Sequence, residues 1–239
     1  MTNKKLGSVL GEITHIDRWG YTLLGIVGIA AIIIGYTDEI FFNEGFANED
    51  GIVENLTTLA LLSVAIICGH RLVRQWKKRD WMWLVGTAVF TLLFFFAAGE
   101  EISWGQRIFG WETNEYFMER NAQGETNLHN LVVGETKINK LIFSQLLTIV
   151  MAIYLLIVPL LHRRVEWIRR LIDGFAVPVV KGHHALVFIL LTFVIMVIPA
   201  ERKWEVYELG FGMMFILIFL NPYNNWVFKL ERDPGENFP

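Results

Sequence analysis

Two neighbouring carboxylates close an apolar run in the stretch FFFAAGEEISWGQRIFGW, residues 94–111. A carboxylate can accept a proton from water or bind a metal ion. An arginine can hold an anionic headgroup or a developing negative charge through its planar fork. These residue types therefore favour acid–base or metal-assisted chemistry. The candidate catalytic residues are Glu100, Glu101, Gln106 and Arg107.

A second candidate element is GETNLHN, in which Glu125 and His129 are spaced i, i+4. On a helical turn this spacing directs two side chains at one ion. Histidine and glutamate together suit Zn²⁺, Mn²⁺ or Fe²⁺ better than Mg²⁺ or Ca²⁺. The sequence thus predicts a divalent-metal site with Glu101, Glu125 and His129 as ligands. The alternative is that His129 only forms hydrogen bonds within a polar loop.

Further acids lie within apolar sequence, at Glu54, Glu205 and Glu208. An ionisable residue in hydrocarbon costs roughly 2.5–3.5 kcal/mol on insertion scales, so these acids need partners. Clustered carboxylates bind a cation or hold a proton, because like charges repel. If the helix continues past Glu100, Arg107 lies on the same helix face as Glu100. The alternative to a cation or proton site is then a Glu100–Arg107 ion pair that only fixes the end of the helix. The remaining members of the predicted polar network are Ser103, Trp104, Asn127 and Asn130.

The elements that must position these residues are apolar helices. Of the 239 residues, 54% are hydrophobic and 19% charged, and the mean hydropathy is +0.41. A span of a 30 Å hydrocarbon core needs roughly 17–25 helical residues. We predict an all-α polytopic membrane helix bundle, a single domain over residues 1–239. Its six spans are residues 19–36, 52–70, 81–99, 141–161, 184–200 and 203–220.

The basic residues predict the orientation of these spans. Alternate segments, beginning with the N-terminus, carry fifteen Lys and Arg residues, and the opposite set carries six. Positive residues collect in cytoplasmic segments, so both termini are predicted to be cytoplasmic. The candidate site then lies at the outer ends of the spans, together with a long outer loop, residues 100–140.

Two features are predicted at the cytoplasmic side. The segment 162–173, HRRVEWIRRLID, has apolar residues at helical spacing and four arginines, which suits an interfacial helix on an anionic leaflet. A basic loop that only sets the topology is the alternative. The histidines at the inner ends of spans are interpreted as interface residues: His70, His162, His183 and His184.

The blocks NEDGIVENLT, AAGEEISWGQRIFGWET and ETNLHN together resemble a family of uncharacterised bacterial polytopic membrane proteins, over roughly residues 49–134. The resemblance implies a multi-span fold in the bacterial inner membrane and no particular activity. The Glu pair with its following aromatic is also similar to the first motif of CAAX-type intramembrane proteases, in which such a pair activates water. The later histidine motifs of those proteases are missing.

The order of Glu101, Gln106, Arg107, Asn130 and Gly134 is similar to that of the VanZ-like family, with different spacing. Three functions remain open. The first is a metal-dependent hydrolase or transferase acting on a lipid or lipid-linked substrate. The second is a cation- or proton-coupled transporter or channel subunit, and the third is a structural membrane protein. The expected partner is the bilayer and not a nucleic acid; the sequence leaves the oligomeric state open.

Overall fold

The computed structural model describes residues 11–48, 51–128, 130–133, 136–137 and 147–229. These residues are mostly helical. The α-helices are α1 His15–Thr37, α2 Glu39–Phe41, α3 Ile52–Gln75, α4 Trp81–Glu101, α5 Gln106–Phe109, α6 Glu115–Arg120, α7 Leu147–Ala152, α8 Val158–Arg164, α9 Glu166–Gly174, α10 Gly182–Val197 and α11 Lys203–Leu220. Shorter elements are π-helical turns at Phe42–Phe46 and Ile153–Ile157, 3-10 turns at Ser103–Gly105 and Asn225–Phe228, and strands β1 Val132–Val133 and β2 Thr136–Lys137.

Three of these helices, α1, α3 and α4, are long and apolar enough to cross a membrane. They contain the first three predicted spans, so the prediction of an all-α protein with membrane-spanning helices is confirmed at this level. The predicted span 203–220 has the bounds of α11, and the span 184–200 corresponds to the sixteen-residue α10. The predicted span 141–161 begins outside the described residues. Six spans and cytoplasmic termini remain predictions.

The helices pack around α11, which contacts α1, α3 and α10, while α4 packs along α3. Aromatic rings fill the centre: the ring of Phe94 lies 5.0 Å from that of Phe215 and 5.2 Å from that of Phe219, in edge-to-face geometry. Within a bilayer such packing is stabilised by dispersion contacts, because lipid is as apolar as the core. The buried centre therefore holds α4 and α11 in fixed register, which places the ends that carry the acids.

Antiparallel packing divides the bundle into two ends. At the first end, the start of α1 meets the last turn of α11, where Asn221 Nδ2 donates to Asp17 Oδ2 at 2.5 Å. Arg71, near the end of α3, donates to the carbonyl of Phe219 at 2.7 Å. We call this the basic end. The opposite end has the starts of α3 and α11, the last residue of α4 and the loop that follows it; we call it the acidic end.

Helix boundaries differ from the sequence-based expectation at two places. The predicted helix 162–173 is divided, because Val165 is extended (φ −121°, ψ 106°) and α9 begins only at Glu166. The helix that carries Glu100 ends at Glu101 and does not continue to Arg107. The premise that Glu100 and Arg107 share a helix face therefore fails.

Candidate functional site

A left-handed turn follows α4 and determines the geometry of the site. Three consecutive residues have positive φ: Ser103 at 47°, Trp104 at 57° and Gly105 at 76°. Glycine adopts this conformation freely, but each of the other two costs roughly 1–2 kcal/mol relative to right-handed backbone. Such strain persists only where surrounding contacts hold it in place.

Trp104 folds back onto α4. Its ring lies 5.4 Å from that of Phe96, and a Cβ on Gly99 would approach the indole to 2.8 Å, so only glycine fits there. The indole Nε1 donates to Glu100 Oε1 at 2.8 Å. The other carboxylate oxygen of Glu100 accepts the backbone N–H of Leu128 at 2.6 Å. Glu100 is buried and fastens the outer loop to the end of α4.

Glu125 is the second fixed carboxylate. Its Oε2 accepts a hydrogen bond from Ser103 Oγ at 2.5 Å and one from Asn127 Nδ2 at 3.3 Å, and its Oε1 forms an ion pair with Arg107. Asn127 Nδ2 also donates to Ser103 Oγ at 2.8 Å, which closes a ring of contacts. The strained turn and the segment ETNLHN are therefore held together by a buried polar network.

The oxygen and the nitrogen of the Gln106 side-chain amide both form hydrogen bonds in the same network. Its Oε1 accepts the backbone N–H of Thr126 at 2.9 Å, and its Nε2 donates to Thr113. We call the set around this loop the outer-loop network. It contains Glu100, Ser103, Trp104, Gln106, Arg107, Asn121, Glu125 and Asn127.

Sequence reasoning missed Asn121 in this network. Its Nδ2 donates to Asn127 Oδ1 at 2.8 Å, and its Oδ1 accepts the backbone N–H groups of Gln123 and Glu125. The signal was present: an Asn three residues before Gly124 is typical of a turn in which the side chain caps the backbone. Asn130 lies beside it, with its Nδ2 donating to Gln123 Oε1 at 2.5 Å.

Glu101 points away from the outer-loop network. Carboxylate oxygens of Glu101, Glu205 and Glu208 all lie within 4.8 Å of one another, and the charge of Glu54 acts on both Glu101 and Glu208. We call Glu101, Glu205 and Glu208 the carboxylate cluster. It joins the last residue of α4 to the start of α11, so two helices supply the acids.

The helix dipoles stabilise the negative charge of some of these acids and destabilise that of another. Glu54 and Glu205 lie in the first turns of α3 and α11, where the positive end of a helix stabilises a carboxylate. Glu101 ends α4, where the dipole is unfavourable, and the last turn of α4 has no basic residue. The cluster is therefore chemically suited to hold a cation or a shared proton.

The structure separates the residues that were predicted to share one metal. Glu101 belongs to the carboxylate cluster and Glu125 to the outer-loop network, and His129 lies outside the described residues. The segment around Glu125 is a loop and not a helical turn. The i, i+4 argument for Glu125 and His129 therefore lacks the helix it assumed.

A second group of metal-binding residue types lies at the basic end: Asp17, His183 and His184, each almost fully buried. His184 Nε2 lies 3.2 Å from Asp17 Oδ1, and His183 Nδ1 lies 2.6 Å from the hydroxyl of Tyr21. His162 is buried in the same end of the bundle, 2.9 Å from Asp173. Of the histidines that were interpreted as interface residues, His162, His183 and His184 are buried by helix packing, whereas His70 is exposed.

Hydrogen bonds and the charge of Lys181 explain how these side chains are held together, and no metal ion is needed. The backbone N–H of Lys181 points at His184 Nδ1 at 3.4 Å, which leaves the hydrogen of a neutral ring on Nε2, facing Asp17. Lys181 Nζ donates to Asn221 Oδ1 and to the carbonyl of Glu12. Burial lowers the pKa of Lys181, and the charges of Asp17 and Glu12 oppose that effect. We call Asp17, Lys181, His183, His184 and Asn221 the polar knot.

No protein-family model, no curated protein and no solved structure matches this chain.

Proposed function

We propose that this protein is a six-span membrane protein whose outward-facing acidic end binds a divalent cation at the carboxylate cluster. We further propose that it acts as a metal-dependent hydrolase or transferase on a lipid or lipid-linked substrate. The observation that carries the proposal is the convergence of Glu101, Glu205 and Glu208 within 4.8 Å, from two helices, beside Glu54. The alternation of basic and acidic segments supports the orientation.

The donor set favours a hard cation. Carboxylate oxygens suit Mn²⁺, Mg²⁺ or Ca²⁺, whereas Zn²⁺ favours nitrogen and sulfur ligands. Of the metals that the sequence suggested, Mn²⁺ therefore fits the cluster best. A bound divalent ion would lower the pKa of a water molecule and so supply a nucleophile near neutral pH.

Residues of the chain itself have further roles in the proposed reaction. Glu101 is placed to act as ligand or base. Arg107 and Gln106 are held by Glu125 and by the loop backbone, so they fix the outer loop that follows Glu101, and the Arg107 side chain there remains 38% exposed.

A lipid substrate is favoured by the surroundings of the turn. Large apolar side chains are exposed on α4 and continue through the segment after the turn, so the site adjoins a surface that lipid can cover. Examples are Leu92, Phe95, Ile108, Phe109 and Trp111.

Transport of a cation or of protons is the second candidate. Glu208 lies one turn further into α11 than Glu205, so the acids extend along the helix as they would in an entry path. Membrane-embedded acids commonly mark such paths.

The test measures Mn²⁺ binding to the purified full-length protein by titration calorimetry, with Mg²⁺, Ca²⁺ and Zn²⁺ as comparisons. Wild type is expected to bind one ion, and Glu101→Gln and Glu208→Gln to lose most of the affinity. The matched control is Glu119→Gln, because Glu119 is an exposed acid paired with Arg120. Absence of binding in wild type would overturn the metal centre.

Function is tested in the same preparations. Hydrolysis or transfer on a panel of phospholipids and polyprenyl-linked substrates, lost in Glu101→Gln, supports the enzyme. Cation- or proton-driven flux in liposomes without lipid turnover supports transport. If Glu101→Gln leaves both measurements unchanged, the cluster has a structural role.

A further inference from the structure

The basic end presents an exposed surface in which aromatic and cationic side chains lie together. It is built from two segments far apart in sequence: the connection between α3 and α4, and the short helix α9. The ring of Trp81, the first residue of α4, meets that of Phe175 just after α9 at 6.2 Å, edge to face. This contact places the two segments side by side.

Helix α9 is a separate short helix that follows the break at Val165 and packs against α8 and α4. Its nine residues reach about 13–14 Å, which is less than half the hydrocarbon thickness. The α9 residues Ile168 and Ile172 are partly buried. Trp167 is 67% exposed and Leu171, one helical turn further on, is 46% exposed.

Exposed cations lie on α9 and on the segments next to it. Arg170 has a side chain that is 77% exposed, and Arg164, which ends α8, is also exposed. Lys77 and Lys78 are exposed in the neighbouring connection. Glu166 pairs with Arg169 and Arg170, which offsets part of this charge.

Three tryptophans on this surface are largely exposed: Trp76, Trp81 and Trp167. Tryptophan favours the level of the headgroups, where the ring is half in apolar and half in polar surroundings. A water-exposed surface has no reason to present three such rings. Together with the cations, they match the two chemistries of a phospholipid, an anionic phosphate above an acyl chain.

We propose that this surface binds the headgroups of anionic phospholipids in the leaflet at the basic end. Trp167 and Leu171 insert at the boundary of the acyl chains. Lys77, Lys78, Arg164 and Arg170 contact the phosphates. This inference does not depend on the carboxylate cluster or on the proposed chemistry.

The test uses the full-length protein in detergent, titrated with short-chain phosphatidylglycerol or phosphatidylcholine, with the thermal unfolding temperature as readout. Phosphatidylglycerol is expected to raise the unfolding temperature at lower concentration than phosphatidylcholine. The double variant Arg164→Gln/Arg170→Gln is expected to weaken phosphatidylglycerol binding roughly 25-fold, about fivefold for each cation. Its unfolding temperature without lipid shows that it is folded.

Arg120→Gln is the matched control, since Arg120 is an exposed arginine at the acidic end; it should bind phosphatidylglycerol like wild type. Trp167→Ala is expected to weaken the binding of both lipids. Equal responses to the two lipids, or an unchanged affinity in the double variant, would overturn the proposal. So would inorganic phosphate producing the same shift as phosphatidylglycerol, because a soluble anion would then explain the surface.

Discussion

Glu100 and Glu101 are adjacent in sequence, yet their carboxylates belong to different structures. Glu100 is buried and accepts hydrogen bonds from the indole of Trp104 and the backbone of Leu128. Glu101 faces Glu205 and Glu208 across the helix interface. Successive residues on a helix differ in direction by about 100°, so the last turn of α4 directs one acid to the loop and the other to the cluster.

This divergence predicts that the same substitution has opposite effects at the two positions. Glu100→Gln should lower the free energy of unfolding by about 1–3 kcal/mol, because a buried charge-assisted acceptor is lost. Glu101→Gln should raise it by about 1 kcal/mol in metal-free protein, because repulsion within the carboxylate cluster falls. Thermal or denaturant unfolding in detergent with a chelator measures both.

The control for this pair is Glu119→Gln, whose exposed carboxylate should leave stability within about 0.5 kcal/mol of wild type. The explanation fails if Glu100→Gln and Glu101→Gln shift stability in the same direction.

The ion pair between Arg107 and Glu125 should couple more strongly than a surface pair. A double-mutant cycle with Arg107→Gln and Glu125→Gln is expected to give a coupling free energy of about 1–2 kcal/mol, since Glu125 is largely buried and also held by Ser103. The matched cycle on Arg120 and Glu119 is expected to give at most about 0.5 kcal/mol. Equal coupling in the two cycles would contradict a structural role for the Arg107–Glu125 pair.

The sequence was sufficient to predict three long apolar helices. Continuous apolar runs fixed α1, α3 and α4, and α11 begins and ends where the hydropathy changes. Glu205 and Glu208 come close to Glu101 because α4 and α11 both pack against α3, so that the end of α4 lies near the start of α11.

The different surroundings of Glu100 and Glu101 could not be predicted from the spacing of residues in the sequence. A helical periodicity argument assumes that the helix continues, whereas three left-handed residues redirect the chain at Ser103–Gly105. Serine and tryptophan give no local signal for that conformation; only contacts with Glu125 and Glu100 hold it. The polar knot was missed for a similar reason, because it joins residues such as Asp17 and His184 across the whole chain.

Membrane orientation is predicted to place Glu119 outside and Arg170 inside. Single-cysteine variants Glu119→Cys and Arg170→Cys, made in a Cys68→Ala background, give the readout because Cys68 is the only native cysteine. A membrane-impermeant maleimide added to intact cells should label position 119 and leave position 170 unlabelled. After the cells are opened, both positions should react. Labelling of position 170 in intact cells would reverse the orientation and place the candidate site on the cytoplasmic side.

The polar knot and the carboxylate cluster should respond differently to metal. In the knot, Asp17 accepts hydrogen bonds from Thr14 and Asn221 as well as the contact with His184, so its charge is satisfied by the protein. Asp17→Asn is expected to lower the free energy of unfolding by about 3 kcal/mol, since it leaves the charge of buried Lys181 with less compensation.

A chelator should not change the difference in stability between wild type and Asp17→Asn. Mn²⁺ should stabilise wild type by binding Glu101, and it should not stabilise the Glu101→Gln variant. Thermal unfolding of wild type, Asp17→Asn and Glu101→Gln, each with chelator and with Mn²⁺, separates the two groups. A chelator effect that Asp17→Asn abolishes and Glu101→Gln retains would move the metal site to the basic end.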